Sequence, residues 1–161
     1  MKTLTDPAAR MVNFTPKSTT VSALRRLRPP ATLGARNPGV ERRTYRVRAR
    51  LVEFKIEEDS DVHLVIAEPG FPARRMIVEF PATGCTRGAA AKRRSQMARA
   101  RSALMHACGV PNTSEFLDLR GTATTTGVAF FDFKHGQPGV APNAIELHPV
   151  LGFSRAAGGV A

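Results

Sequence analysis

Two short stretches of the chain concentrate side chains that could bind a metal ion or transfer protons. Residues 130–150 read FFDFKHGQPGVAPNAIELHPV, and residues 57–63 read EEDSDVH. Together they supply three aspartates, three glutamates and three histidines. The members of this set that we consider as candidates are Asp59, Asp61, His63, Asp132, His135, Glu146 and His148. Carboxylates suit a hard divalent cation, whereas imidazoles suit a softer cation or act as general acids and bases.

We assign the aspartates Asp59, Asp61 and Asp132 as candidate metal ligands for a divalent cation. The candidate catalytic residues are His135, Glu146 and His148. Glu146 and His148 stand two residues apart in a predicted strand, so their side chains leave the same face, roughly 6–7 Å apart. The sequence contains no HExxH, paired CxxC or phosphate-loop signature, so spacing alone does not specify one chemistry.

A purely structural explanation of the same residues stays open. Gly136 and Gly139 can supply positive φ angles, and Pro138 and Pro142 fix the direction of the chain in a turn. Asn143 can bond its own backbone, as this residue type does in turns. The acidic run at 57–61 is equally typical of a solvated turn between strands.

Arginines form a second candidate surface. In the segment TYRVRARL, the arginines Arg46, Arg48 and Arg50 alternate with apolar residues, which predicts a half-buried strand with an arginine face outward. With these we group His63, Gln137 and Asn143 as candidate ligand-binding residues. A basic face on a β-sheet favours nucleic acid, although that interaction also uses aromatic stacking and the chain has no tryptophan.

The elements that must position these side chains follow from hydrophobic periodicity. Alternation predicts strands, and the segment GAAAKRRSQMARARSALMHAC, ended by Gly109 and Pro111, predicts a helix with an apolar stripe. The stripe comprises Met97, Ala100, Leu104 and Cys108. The predicted strands span residues 44–54, 62–68, 75–80, 115–133 and 144–153, and the helix spans 88–108. We expect a bulge near Gly121 or Gly127 in the fourth strand.

Three strands, a helix and two further strands are the element order of the OB-fold, a five-stranded partly open Greek-key barrel. We therefore predict a mainly β protein with a small OB-like barrel over residues 44–153. In that fold the loops after the first and fourth strands border the binding face. Here those loops are residues 57–61 and 134–143, the most polar stretches of the predicted barrel.

Charge divides the chain into two parts. Residues 1–50 carry 12 lysines and arginines against 2 acidic residues, whereas residues 51–161 carry 12 against 11. We predict that residues 1–43, which are basic and rich in proline, form a mostly disordered arm, and that residues 154–161 form a frayed tail. No apolar run reaches the roughly 20 residues of a membrane span, and no secretory signal is readable.

Cys85 and Cys108 are the two cysteines of the chain. They flank the predicted helix, and either a disulfide or two separate thiols is compatible with the sequence.

The segments DSDVHLVIAEP…RMIVEFP (59–81) and TGVAFFDFKHGQPGVAPNAIELHPVL (126–151) resemble a widespread group of bacterial proteins without an assigned function. Those proteins carry a D-x-D-x-H-L-V-I strand and end in a GFFDFxHGQxGVAPNxIELHPVL stretch. The resemblance covers about residues 44–153 and implies no activity. Many proteins of the group look secreted. Staphylococcal-nuclease-like proteins share the element order, which is an analogy of fold alone.

These observations favour an OB-like binding module whose ligand is nucleic acid, held by the barrel face and the basic arm. The alternative is a metal-dependent, nuclease-like hydrolase with Asp61, Asp132, His135, Glu146 and His148 near the cation. A third hypothesis is a structural domain that binds other proteins. The first two predict different responses to salt and to removal of metal.

Overall fold

The computed structural model describes residues 1–156 and is built mainly of β-strands, which confirms the predicted class. It has seven strands and one long helix: β1 (Asn13–Thr19), β2 (Arg43–Ile56), β3 (Val62–Glu68), β4 (Phe71–Phe80), β5 (Leu117–Asp118), β6 (Thr122–Phe131), β7 (Ile145–Arg155), the short helix α1 (Val21–Leu24) and the long helix α2 (Ala91–Cys108). Three 3₁₀ turns lie at Pro7–Met11, Val40–Arg42 and Thr83–Thr86. The predicted tail at 154–161 begins too early, because β7 continues to Arg155; its last five residues lie outside the described range.

All seven strands belong to one sheet with the order β1-β2-β3-β4-β7-β6, and β5 pairs with β2. The long strand β2 is shared: Thr44–Arg50 pair with β6, and Arg50–Ile56 pair with β3. The pairs β1–β2 and β4–β7 are parallel, and the others are antiparallel. The sequence predicted five strands and the structure has seven, because β1 lies in the N-terminal segment and the predicted fourth strand is interrupted.

That interruption occurs at Gly121, whose φ of +90° is a backbone conformation that favours glycine. The predicted strand 115–133 therefore becomes the short β5 and the longer β6. The pairing of β6 with β7 also shifts register on both sides of Gly127. A Cβ atom there would lie 2.9 Å from both the Leu147 Cβ and the Pro149 carbonyl oxygen, so the strands approach closely at this bulge.

The core lies where the alternation predicts. Val47, Ala49 and Leu51 of β2 are at most 1% exposed, while the arginines between them point to solvent. Helix α2 packs on β7 through its apolar stripe, of which Met97, Ala100 and Leu104 are buried and Cys108 is half-buried. Cys85 is exposed, and both cysteines are free thiols. None of the helices within residues 1–156 is long and apolar enough to span a membrane.

The N-terminal segment differs from the disordered arm predicted for residues 1–43. It contains β1 and α1, and it buries Leu4, Val12, Val21 and Leu24. Val21 and Leu24 belong to the main core, whereas Leu4 and Val12 pack on a second cluster that includes the β6 and β7 side chains Val128 and Leu151. Apolar residues separated by prolines show no local period, so only contacts with distant strands order them.

Polar contacts also hold this segment. The Arg36 side chain, 1% exposed, donates to both carboxylate oxygens of Asp6 at 2.9 and 3.0 Å. Glu41, which is 2% exposed, accepts hydrogen bonds from the backbone N–H of Phe131 and of Asn37. The segment is therefore tied to the end of β6, next to the site described below.

Candidate metal centre

A cleft of about 700 Å³ lies between the 57–61 turn and the segment that follows β6. Its titratable lining comprises two lysines, two histidines and five carboxylates: Lys2, Lys55, Glu57, Glu58, Asp59, His63, Glu79, Asp132 and His135. Both loops that the sequence assigned to a binding face contribute residues to this cleft. The excess of carboxylates favours a cation over a bare phosphate group.

Strand pairing brings several of the candidate side chains together beneath this cleft. In the antiparallel pair β3–β4, His63 lies opposite Glu79, so the two side chains share one face. The parallel pair β4–β7 aligns Ile77 with Glu146, which places Glu79 beside His148 two positions further along both strands.

The turn before β3 places the Asp61 side chain close to His148. Its backbone closes with a 2.9 Å hydrogen bond from the Glu57 N–H to the Asp61 carbonyl, and Ser60 adopts a φ of +69°. Asp59 Oδ1 accepts from the Asp61 N–H at 3.1 Å. Asp61 Oδ1 then accepts from the Ala82 N–H at 2.7 Å, which fixes the carboxylate against the chain that leaves β4.

We name Asp61, His63, Glu79, Glu146 and His148 the carboxylate–imidazole cluster. His148 is fully buried, and its Nδ1 lies 2.8 Å from Glu79 Oε2 and 3.8 Å from Glu146 Oε2. Its Nε2 lies 3.3 Å from Asp61 Oδ2. The other oxygen of Glu79 lies 3.4 Å from His63 Nδ1, so Glu79 links the buried histidine to the cleft.

His63 occupies the floor of the cleft with a defined ring orientation. Its Nε2 lies 3.0 Å from the Pro138 carbonyl oxygen; because a carbonyl oxygen only accepts, this nitrogen carries a proton and donates. Its Nδ1 faces two carboxylates, Glu79 at 3.4 Å and Glu57 at 3.6 Å. The carbonyl of Pro138 in the 134–143 loop thus orients a histidine on β3.

The short contacts of His148 are not aligned hydrogen bonds. Within the described chain, neither ring nitrogen has an acceptor along its N–H direction, and Glu146 Oε2 is also buried without a hydrogen-bond donor. Asp61, Glu79 and His148 each place one potential ligand atom, a carboxylate oxygen or a ring nitrogen, within 4.8 Å of the other two. Buried polar atoms that converge without aligned partners are a feature that a bound cation explains.

Burial and charge shift the pKa values of this cluster in opposite directions. Burial lowers the pKa of His148, but the nearby carboxylates Asp61, Glu146 and Glu79 outweigh it and raise the pKa well above 6.5. For His63 the same balance, with Glu79 dominant among the carboxylates, gives a raised pKa.

The two glutamates of the cluster diverge. Burial raises the pKa of Glu79, but its contacts with His148 and His63 outweigh burial, and its pKa lies far below its ordinary value. For Glu146, which is 1% exposed, burial dominates and the pKa is raised. Two carboxyl groups with oppositely shifted pKa values around one imidazole are an arrangement suited to acid–base chemistry.

The predicted catalytic and metal-binding residues therefore separate into two sets. Glu146, His148 and Asp61 belong to the cluster. His135 is exposed at the rim of the cleft, where its backbone N–H donates to Gln137 Oε1. The remaining two aspartates have other partners: Asp59 caps the 57–61 turn, and Asp132 pairs with Lys2 at 2.8 Å.

Of the predicted ligand-binding residues, one lies in the cluster and the others lie outside it. His63 belongs to the cluster, but the side chain of Gln137 closes its own turn through the Phe133 carbonyl. Asn143 donates to the carbonyls of Leu24 and Leu27 at 2.9 and 2.8 Å, so it fastens α1 and the residues after it. The arginines of β2, which are Arg46, Arg48 and Arg50, are exposed and do not line the cleft.

Sequence reasoning missed Glu79 and Lys2. Glu79 is the one charged residue in the apolar run MIVEF, and an acid inside a buried strand is the signal that could have singled it out. Lys2 carries no such signal, because it reaches Asp132 only through the fold of the N-terminal segment.

Comparison of the chain with protein-family models, with curated proteins and with solved structures yields no match.

Proposed function

We propose that the protein binds a divalent transition-metal ion through Asp61, Glu79 and His148, and that it hydrolyses a phosphodiester in the cleft above them. The observation that carries this proposal is the fully buried His148, whose nitrogens lack aligned partners while two carboxylates converge on it. One imidazole with several carboxylate oxygens suits Mn²⁺ or Zn²⁺ better than Ca²⁺, and binding of the ion would release the proton that these carboxylates otherwise favour on His148.

Glu79 connects such an ion to the substrate space. Its Oε2 belongs to the buried cluster, and its Oε1 faces His63 at the floor of the cleft. A bound cation supplies a Lewis acid and lowers the pKa of a water molecule. His63, held by the Pro138 carbonyl, can exchange a proton with a substrate in the cleft.

The test measures metal binding first. Wild-type protein stripped with EDTA is titrated with Mn²⁺ or Zn²⁺ by calorimetry, and we expect about one ion per chain. Glu79→Gln keeps the shape of the side chain and should weaken binding at least about tenfold. Asp118→Asn, at an exposed position of β5 away from the cleft, is the matched control and should bind as wild type does. A wild-type protein that binds neither ion overturns the proposal.

Hydrolysis is then measured on labelled single-stranded DNA. We expect cleavage that EDTA abolishes, that the metal restores, and that His63→Gln reduces without loss of metal binding. Metal binding without any cleavage would reject the hydrolase and leave the metal site.

We further propose that the strands β2, β3, β4, β7 and β6 form the OB-like barrel expected from the sequence. The supporting observation is their pairing order, in which β6 returns to β2 and β4 pairs in parallel with β7. The long helix α2 stands between β4 and β6 in the chain, as the OB element order requires.

Nucleic-acid binding is the second candidate function, and the arginine face of β2 favours it. Arg46, Arg48 and Arg50 lie opposite three threonines of β6, and within residues 1–156 their side chains make no ion pair or hydrogen bond. Three unpaired guanidinium groups beside hydroxyl groups match a polyanion, and each would add to the salt dependence of binding.

Binding of an oligothymidylate is measured by fluorescence anisotropy over a range of salt concentrations. Replacement of the three arginines by glutamine should lower the slope of log K against log salt by about 2, since each phosphate contact contributes about 0.7. The control replaces three other exposed arginines, Arg26, Arg28 and Arg120, and removes the same charge. Equal slopes for the two triple variants would mean that β2 contributes only general charge.

A further inference from the structure

A second pocket, of about 430 Å³, lies where β1 meets the start of β2. It shares no lining residue with the cleft. Three cationic and three neutral polar side chains line it: Lys17, Arg42, Arg43, Asn13, Thr15 and Thr44. Within the described part of the chain, no carboxylate is among its lining residues. The pocket is therefore basic, in contrast to the acidic cleft.

Two residues that line this pocket each have a buried polar atom without a hydrogen-bond partner among the described residues. Thr44 is 1% exposed, yet its Oγ1 makes no hydrogen bond with any described residue. The Nε of Arg42 is likewise buried and unpartnered over the same range. A buried group left without a partner loses its hydration and gains nothing in return, so such groups call for an acceptor from outside the protein. Both atoms can donate, which points to an anion or another hydrogen-bond acceptor.

The acidic residue next to these arginines in the chain forms no ion pair with them in the described structure. Glu41 precedes Arg42 in the chain, but its two oxygens accept from the Phe131 N–H at 2.9 Å and from the Asn37 N–H at 2.7 Å. Its carboxylate is thus hydrogen-bonded to Asn37 and Phe131. The positive charge of Arg42 and Arg43 remains available to a ligand.

We propose that this pocket binds a phosphate group. A guanidinium presents parallel N–H donors that match two oxygens of a phosphate, and Arg42 lines the same pocket as Thr44. Lys17 of β1 and Arg43 of β2 also line the pocket and add positive charge. The phosphate can belong to a small phosphorylated molecule or to a nucleic-acid backbone, and the chemistry of recognition is the same. This site does not depend on the metal centre.

The experiment uses the full chain and inorganic phosphate as the probe, at constant ionic strength set with chloride. Phosphate should raise the melting temperature of the wild type in a concentration-dependent manner. Thr44→Val removes the hydroxyl and keeps a branched side chain of similar shape. We expect this variant to bind phosphate at least about tenfold more weakly, while its melting temperature without phosphate equals or exceeds that of the wild type, because an unpaired buried hydroxyl has been removed.

The control is Thr19→Val, at a threonine of β1 that does not line the pocket, which should bind phosphate as the wild type does. Arg42→Gln should lose phosphate binding by a second route, through charge. A wild type whose melting temperature does not respond to phosphate overturns the proposal. So does a Thr44→Val variant that melts lower without phosphate and binds it normally, because the hydroxyl would then have an internal partner.

A second arm identifies the source of the phosphate. Weaker binding of an oligothymidylate by Thr44→Val than by Thr19→Val assigns the site to a nucleic-acid backbone. Equal binding of the oligonucleotide by both variants, together with loss of inorganic phosphate binding, assigns it to a small phosphorylated ligand.

Discussion

Removal of the buried carboxylate of Glu41 should destabilise the whole domain, although this residue lies in the N-terminal segment that the sequence predicts to be disordered. Glu41 is 2% exposed and accepts three hydrogen bonds. Two come from the backbone and side chain of Asn37, at 2.7 and 2.9 Å, and one comes from the backbone of Phe131, at 2.9 Å. The contact with Phe131 joins residues 36–41 to the end of β6.

The expected cost follows from the groups that Glu41→Ala would leave unpaired. Phe131 is 3% exposed, so its N–H would lose its acceptor in a buried place, at about 1–3 kcal/mol. Loss of the two charge-assisted bonds to Asn37 adds a smaller amount, because that residue is partly exposed to water. We expect a total of about 3 kcal/mol, a large share of the roughly 5–15 kcal/mol by which domains are stable.

Urea unfolding followed by far-ultraviolet circular dichroism measures this loss, since the chain has no tryptophan. Glu41→Gln keeps one acceptor oxygen and should cost about half as much. Glu115→Ala, at an exposed glutamate, is the control and should lie within about 0.5 kcal/mol of wild type. A Glu41→Ala variant that loses less than about 1 kcal/mol, with an unchanged denaturant slope, would refute the docking of this segment through Glu41.

Two further predictions test the 134–143 loop and the N-terminal ion pair. Gly139→Ala should destabilise the protein by about 2–4 kcal/mol in urea unfolding, because φ is +78° and the new Cβ would lie 2.5 Å from a methyl group of Val65. The control Gly136→Ala, where φ is +85° and no atom lies near the new Cβ, should cost only about 1 kcal/mol. Equal losses of stability in the two variants would contradict the close packing of Gly139 on Val65. Burial raises the pKa of Asp6, but the neighbouring Arg36 outweighs burial and holds the pKa below 3.8. The loss of stability in Asp6→Asn should therefore be constant above pH 3.8 and should disappear as the pH falls through the lowered pKa. A difference in stability between Asp6→Asn and wild type that persists in strong acid would contradict the ion pair.

Local pattern was enough to find most of the elements that carry the candidate site. The strand predicted at 62–68 has those bounds in the structure, and the alternation in β2 separates buried from exposed side chains as expected. The pairing of Glu146 and His148 on one face followed from the strand period alone, and the two side chains approach to 3.8 Å. These features depend on neighbours in the chain, which is why the sequence could predict them.

The composition of the candidate site could not be predicted to the same extent. Asp132 and His135 border the same loop as Glu146, and their types suggested common chemistry. In the structure Asp132 pairs with Lys2, and His135 lies at the rim of the cleft. Glu79, which the sequence analysis did not choose as a candidate, contacts both His63 and His148. The parallel pairing of β4 with β7 brings the Glu79 carboxylate to His148. No local sequence pattern predicts that pairing.

The sequence by itself determined the mainly β class, the position of the long helix, the outward arginines of β2 and the polar character of the two loops at the cleft. Each of these follows from side-chain periodicity or turn chemistry over a few residues. The tertiary structure decided that the N-terminal segment packs on the sheet and that Asp61, Glu79 and His148 meet. It also decided that Lys17 of β1 shares a basic pocket with Arg42 and Thr44. Those contacts join residues far apart in the chain. They form because the complete fold sets the register of the strands and buries the apolar surface between them.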